Sequence, residues 1–276
     1  MHSNKSLLGI TNRLLLFLSL SITTLTMNLL LLDSDQIHSS NASELNESNL
    51  HGSIQASITD TRRLVHIQQH LKLQVGDSIK VGQKNGLKGT AVVAHIDDSV
   101  LRLEQIVLDQ TPPAKLPLTL IVALPRPKVL RRLVKDAVTL GVEQLILIHS
   151  YRVEKSYWQT PFLQQLDSYV ELGLEQAGDT VWPQIQCFKR FRPFVEDILP
   201  SLIEGGVAFV AHPYAAQAIP TAINQPAVLV VGPEGGFIPF EIDLLQQNGC
   251  QAASLGSRIL RTETVIPYLL GRLYSH

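Results

Sequence analysis

The sequence predicts an α/β protein: a mainly parallel sheet with helices on both faces, preceded by a small, mostly β unit. Three observations predict it. From residue 116 onward, short runs rich in Val, Ile and Leu alternate with segments whose apolar residues recur at helical spacing, the pattern of βαβ units. Before residue 112 the apolar runs are short and separated by Gly-Asp and Asn-Gly turn signals. Pro112-Pro113 marks a linker between the two regions.

The N-terminus has two readings. Lys5 and Arg13 lead into an apolar run over residues 14–32, which has the look of an export signal or a marginal membrane helix. Ser and Thr interrupt the run, no A-x-A site follows, and Met27 sits inside it. The expectation is that residues 1–26 are an upstream extension and that MNLLLLDSDQI begins the fold as a short strand and a polar turn. An export signal or anchor is the competing reading.

Residues 35–60 are polar and read as loop with short strands. In Thr61 to Leu73, Leu64, Ile67 and Leu71 have helical spacing, with basic and His residues opposite. VGDSIKVG, TAVVAHID and SVLRLEQIVLD read as strands, the first two joined at Asn85-Gly86. This gives a β unit over residues 27–112, within the usual size of a domain.

The unit over residues 115–276 opens with the strand PLTLIVALP. A helix follows, with Leu130, Leu133, Val134 and Ala137 on one face and Gly141 at its end. EQLILIHS completes a βαβ unit. Pro161 to Gly178 reads as one long helix, WPQIQCF as a strand, PFVEDILPSLI as a helix and VAFVAHP as a strand. AVLVVGPEGG, a helix, CQAASLGSRILR and an apolar C-terminal helix finish the chain.

Charge is informative through its distribution. The net charge is −1. Residues 61–90 nevertheless hold Arg62, Arg63, Lys72, Lys80, Lys84 and Lys88 against Asp77 alone, and residues 115–155 hold eight basic residues against three acids. Two basic blocks in a neutral chain suit a polyanion-binding surface, although ordinary solvated faces look the same. Cys187 and Cys250 are isolated, without a CxxC or Cys/His cluster. That pattern argues against a zinc site, and no metal is expected.

The most informative run is AVLVVGPEGGF, Ala227 to Phe237. Five apolar residues ending in glycines read as a fully buried strand that stops in a tight loop. In α/β sheets ligands bind beyond the carboxyl ends of strands. The loop lacks GxxxxGK[ST] and GxGxxG, and it carries Glu234 where a phosphate would want Lys. A neutral or partly cationic ligand suits it better. A plain turn between a core strand and a surface helix would use the same residues.

The second polar loop is Ser254 to Thr264, with Arg258, Arg261 and Glu263 between a strand and an apolar helix. Such a loop suits function. It also suits a helix N-terminus capped by Thr262 or Thr264.

GPEGGF and LGSRILRTET, one helix and one strand apart, together resemble the bacterial 16S rRNA (uracil-N3)-methyltransferase family. That family belongs to the SPOUT class of S-adenosylmethionine-dependent methyltransferases. SYRVEKSYW (150–158), ALPRPKVLRR (123–132), LGLEQAGDTVWP and RFRPFVEDILP extend the resemblance toward its proteobacterial branch. It runs essentially from Met27 to the C-terminus. It implies a trefoil-knotted α/β domain over 115–276, a PUA-like RNA-binding β-barrel over 27–112 and a homodimer. It further implies a cytoplasmic setting without stable membrane association, and 16S rRNA or the small ribosomal subunit as partner. Another RNA such as tRNA, or a non-catalytic RNA-binding or ribosome-assembly role, are the competing functions.

The resemblance gives the residues roles. Gly232, Pro233, Gly235 and Gly236 would wall the S-adenosylmethionine cleft, with Leu255, Gly256, Ile259 and Leu260 at the adenine and Thr264 also binding the cofactor. Leu124 and His212 would line the same cleft, His212 being as readily a structural histidine. Uracil N3 must lose its proton to become nucleophilic. Arg261 would stabilise the developing anion, and Glu234 or Glu263 would orient Arg261 or accept the proton. Arg62, Arg63, Lys72, Arg126, Lys128, Arg131, Arg132 and Arg152 are the candidates for rRNA phosphates. Tyr157 and Trp158 read as core aromatics before base-stacking ones. Two departures from the family pattern are Val265, where a small residue is usual, and HIQQHLKL, where arginines are common.

Overall fold

The computed structural model describes residues 28–39 and 54–274. The expected extension over residues 1–26 lies outside them. The described chain forms two six-stranded sheets.

The first sheet has the order β1-β4-β5-β6-β3-β2. Its strands are β1 (Leu30–Leu32), β2 (Ile37–Ser39), β3 (Ile54–Ile58), β4 (Ser78–Gln83), β5 (Lys88–Ile96) and β6 (Leu101–Gln110). All neighbours are antiparallel except β1 and β4. The Asn85-Gly86 signal is real: Asn85 adopts φ 59 in the β4–β5 turn. Strands β1 and β2 are the two edges, yet only a turn at Ser34–Gln36 separates them. Leu32 to Ile37 spans at most ~18 Å of chain, whereas the edges of six flat strands lie ~24 Å apart. The sheet must therefore curl toward closure.

Helix α1 (Thr61–His66) joins the core of this sheet through Leu64 and ends in a π turn over Ile67–Leu71. Asp60 caps it by accepting from the Arg63 amide. Leu64 and Ile67 are buried as their spacing requires.

The second sheet has the order β12-β10-β11-β7-β8-β9, and every pair is parallel. Its strands are β7 (Leu116–Ala123), β8 (Val142–Ile148), β9 (Gln184–Phe188), β10 (Val207–Ala211), β11 (Ala227–Val231) and β12 (Gln251–Ala253). Strand β11 is buried at all five positions, which is why its sequence shows no alternation. All carboxyl ends lie along one edge.

Helix α2 (Pro127–Thr139) opens with proline in its first turn and buries the predicted stripe. The long helix expected over 161–178 is two, α3 (Pro161–Gln164) and α4 (Leu166–Ala177), broken at Gln165, whose φ, ψ of −111, 15 is not helical. The segment over 191–203 is likewise divided, into α5 (Phe191–Pro193), a π turn (Phe194–Ile198) and α6 (Leu199–Ile203). Helices α7 (Pro239–Gln247) and α8 (Thr262–Leu273) follow β11 and β12.

The run Leu29–Leu32 belongs to both halves. Leu29 and Leu31 join the large core around the parallel sheet, while Leu30 and Leu32 join the core of the first sheet. The period of two along a strand explains the split. An unbroken leucine run is what a strand needs when each of its faces meets a different core.

Candidate functional site

The predicted loops converge at the carboxyl edge of the parallel sheet. Leu124 follows β7, is buried, and donates its N–H to the Ile148 carbonyl at 2.8 Å. His212 follows β10 and donates its N–H to Ala253 at 2.9 Å. Gly232–Gly236 follow β11, and Leu255–Arg261 follow β12.

Within the glycine loop the Gly236 amide donates to the Pro233 carbonyl at 2.8 Å, and Gly236 adopts φ +71, which favours glycine. A Cβ on Gly232 would lie 3.2 Å from both the Phe237 ring and its amide nitrogen. Close approach, as well as freedom at φ, demands glycine here.

The facing loop is open. Gly256, Ser257, Arg258, Ile259 and Arg261 are exposed, with Leu255 and Leu260 half-buried. Arg261 is the N-cap of α8 in extended conformation, without a side-chain cap bond. Neither Thr262 nor Thr264 caps the helix: Thr262 is already inside the first turn and buried. Among the described residues the Arg261 guanidinium enters no hydrogen bond or ion pair. Glu263, half-buried in the same turn, suits the positive end of the helix.

Glu234 faces elsewhere. Its Oε1 accepts from the Arg126 amide at 3.1 Å and lies 4.0 Å from Arg126 Nε. The pairing with Arg261 considered from sequence is therefore replaced by one with Arg126, which ties the glycine loop to the end of β7.

The basic candidates separate. Lys128, Arg131 and Arg132 are exposed on α2, at the i, i+3 and i+4 positions of one face. Arg126 and Lys72 are also exposed. Arg152 donates to the Gly235 carbonyl, so it holds the glycine loop. Arg63 turns inward: Nη1 lies 3.3 Å from Glu171, Nη2 lies 3.1 Å from Glu175, and Nη2 also donates to the Leu31 carbonyl. It serves the junction between the sheets rather than an outer surface. The Arg62 and His70 side chains lie outside what the structure describes.

The sequence reading missed several bonds around the site. Glu241 makes two of them. It is buried, and its two oxygens accept from the amides of Tyr151, at 2.7 Å, and Ile238, at 3.0 Å. Trp158 Nε1–H donates to His149 Nδ1 at 2.9 Å. Burial lowers the His149 pKa, Lys155 lowers it further, and Glu241 opposes, in keeping with a neutral ring that accepts this bond. Ser150, just past β8, is fully buried, and its Oγ has no partner among the described residues. No sequence pattern marks long-range bonds of this kind.

Among the described residues no group of His, Cys, Asp and Glu could hold a metal ion, and no helix is long and apolar enough to cross a membrane. The site is thus two loops at a sheet edge, with close backbone approach on one side and a free arginine on the other.

Comparisons with known proteins agree with this fold. Residues 112–274 match the model of the RNA methyltransferase domain. The chain is 30% identical over 221 residues to the ribosomal RNA small subunit methyltransferase E of Treponema pallidum, covering 78% of this chain and 83% of that one. It is 28% identical over 225 residues to the protein of that name in Synechocystis, covering 80% and 73%. A solved ribosomal RNA small subunit methyltransferase E from Neisseria gonorrhoeae, bound to S-adenosyl methionine, superposes with a TM-score of 0.66 at 20% identity, over 88% of this chain and 94% of that one. A methyltransferase from Legionella pneumophila in complex with the same cofactor gives 0.68 at 19% identity, over 89% and 96%. On the family match and the relative from Treponema, the chain belongs to the RNA methyltransferase family.

Proposed function

We propose that the protein transfers a methyl group from S-adenosylmethionine to N3 of a specific uridine in the 16S rRNA of the small ribosomal subunit. The observation that carries this reading is that the glycine loop and the Leu255–Thr264 loop both leave the carboxyl edge of an all-parallel sheet, from strands flanking β10. The relatives named as small-subunit rRNA methyltransferases support the substrate.

The residues present fit the cofactor. Gly236, where an added Cβ would meet no atom of the described residues within 4 Å, leaves room for close approach to the backbone, and the half-buried Leu255 and Leu260 offer an apolar wall for an adenine. Thr264, Leu124, His212 and Pro233 complete the expected lining. The bound cofactor supplies an electrophilic methyl on a sulfonium. The chain's own task is to make uracil N3 a nucleophile. Arg261, free and exposed, stabilises negative charge at the uracil carbonyl oxygens as the proton leaves. Glu263, two residues on, is the better placed of the two carboxylates to orient Arg261 or take the proton, since Glu234 is bound to Arg126.

Finer features of the fold belong to the same proposal. The curl of the first sheet supports a PUA-like barrel over 27–112 that grips RNA. A trefoil knot over 115–276 is supported by the 212–226 loop. That loop bonds at Ile219 to Ser254, and at Ala222 and Ile223 to Arg272 and Leu273, so it straps the C-terminal segment. We place the protein in the cytoplasm as a homodimer that presents Lys128, Arg131 and Arg132 to rRNA phosphates.

Mass spectrometry of 16S rRNA from a deletion strain tests the reading. N3-methyluridine should disappear and return on complementation. Its persistence, with a methylated base lost from tRNA instead, would point to another RNA as substrate.

A further inference from the structure

Glu241 ties together two loops that the fold could have left independent. In an ordinary first turn, a glutamate at this position reaches back to one backbone amide and leaves its other oxygen to water. Here the carboxylate is only 3% exposed. One oxygen accepts from Ile238, two residues past the glycine loop, at 3.0 Å. The other accepts from Tyr151, at the start of the segment after β8, at 2.7 Å. A second link runs parallel to the first: Arg152 donates to the Gly235 carbonyl. Its Cδ lies 3.1 Å from where a Gly235 Cβ would stand, so the arginine stem lies flat on the glycine. The segment continues into Tyr157 and Trp158, and Trp158 is itself anchored on His149.

We propose that Glu241 is a positioning residue that makes the glycine loop and the 150–158 segment move as one body, and so links cofactor binding to RNA binding. The claim rests on the reading of the glycine loop as a wall of the S-adenosylmethionine cleft. Among the described residues this buried carboxylate has two backbone N–H partners and no ion-paired cation, so the loss of either partner leaves an oxygen unsatisfied. Any motion that separates the loops leaves it with an unmet oxygen. The two loops therefore open together or not at all. A ligand that orders one loop lowers the cost of ordering the other, which is positive coupling and necessarily reciprocal. Exposed Tyr151 and the adjoining basic side chains put the second loop where a polyanion can order it.

The experiment measures affinity for S-adenosylhomocysteine by calorimetry, with and without a saturating 16S rRNA fragment, in the wild type, E241A and E241Q. Wild-type affinity should rise severalfold when RNA is present. In E241A, cofactor affinity alone should fall about tenfold and the RNA-dependent gain should vanish. E241Q keeps one acceptor oxygen in the same shape and should restore part of both; it also keeps the test decidable if E241A does not fold. A wild-type gain that survives in both variants would overturn the proposal, as would no gain in the wild type. Amide exchange separates this from the functional reading. Tyr151 and Ile238 should lose protection together in E241Q, whether or not the cofactor binds. Independent exchange at the two amides would overturn the coupling. A wild type that binds no S-adenosylhomocysteine, with joint loss of protection intact, would instead refute the assigned cofactor.

Discussion

Arg63 of the first sheet's helix and Glu175 of α4 meet at 3.1 Å across the junction between the two sheets. The same guanidinium bonds the Leu31 carbonyl, and Glu175 Oε1 accepts the Leu31 amide at 3.2 Å. One ion pair thus locks both polar groups of a residue in β1, the strand whose alternate leucines serve the two cores. Above pH 7, where Glu175 is ionised, Arg63→Ala should destabilise the protein by about 3 kcal/mol, because it strands a buried carboxylate. The midpoint of urea denaturation reads this directly. Arg63→Lys should recover only part of the loss, since one ammonium cannot serve Glu171, Glu175 and Leu31 as a fork does.

The junction also makes stability depend on pH. Burial pushes the Glu175 carboxyl up from 4.5 to about 7; Arg63 and the Leu31 amide oppose the rise, and Glu171 adds to it. The folded state therefore holds a proton that the unfolded chain releases near 4.5. The associated stability is complete below that pH and is lost as pH rises toward 7. Glu175→Gln removes the titration and keeps an acceptor oxygen. Across pH 5 to 8 the wild type should lose up to about 3 kcal/mol relative to the variant. Parallel unfolding curves at all pH values would refute this.

Lys128, Arg131 and Arg132 form one exposed face of α2, whose first turn lies at the sheet edge that carries the site. Replacing all three with Gln should weaken rRNA binding while leaving cofactor affinity unchanged. The slope of log affinity against log salt should become shallower by about 0.7–0.9 for each charge removed. Replacing Arg63 should not change that slope, because its charge is held at Glu171 and Glu175.

The α/β order, the buried strand before the glycine loop, the Asn-Gly hairpin and the helix over 127–139 were legible because each is a local pattern. Periodicity and turn chemistry encode them within a few residues. Arg63 misled, because a charge at the end of a long side chain reads the same whether it meets phosphate or a buried glutamate 112 positions away. The roles of Glu241 and Arg152 were hidden for the same reason. Their partners are backbone groups of distant loops, and backbone groups leave no mark in sequence. The kink at Gln165 likewise interrupts a stripe that apolar spacing alone reads as continuous.

Gly232 tests the closeness of the glycine loop. An added Cβ meets Phe237 at 3.2 Å, both at its ring and at its amide. The ring is buried and stacked at 5.8 Å on Phe191, so it yields little. Gly232→Ala should cost about 1–2 kcal/mol through overpacking and should weaken S-adenosylmethionine binding in calorimetry. Gly236→Ala meets no atom within 4 Å. It should cost about 1 kcal/mol through its left-handed backbone alone.

Arg261 offers the cleanest separation of chemistry from structure. Its side chain caps nothing, while its carbonyl accepts from the Thr264 and Val265 amides at 2.9 Å, and alanine retains that carbonyl. Arg261→Ala should therefore leave melting temperature and cofactor affinity near those of the wild type. Turnover should fall about 10²–10³-fold, the usual cost of losing a donor to a developing oxyanion. If the arginine acts by favouring the uracil anion, alkaline pH supplies that anion without it. The variant's rate should then rise with pH more steeply than the wild type's and narrow the gap. A defect constant across pH would instead assign Arg261 to holding the RNA. Wild-type turnover in the folded variant would remove it from the reaction altogether.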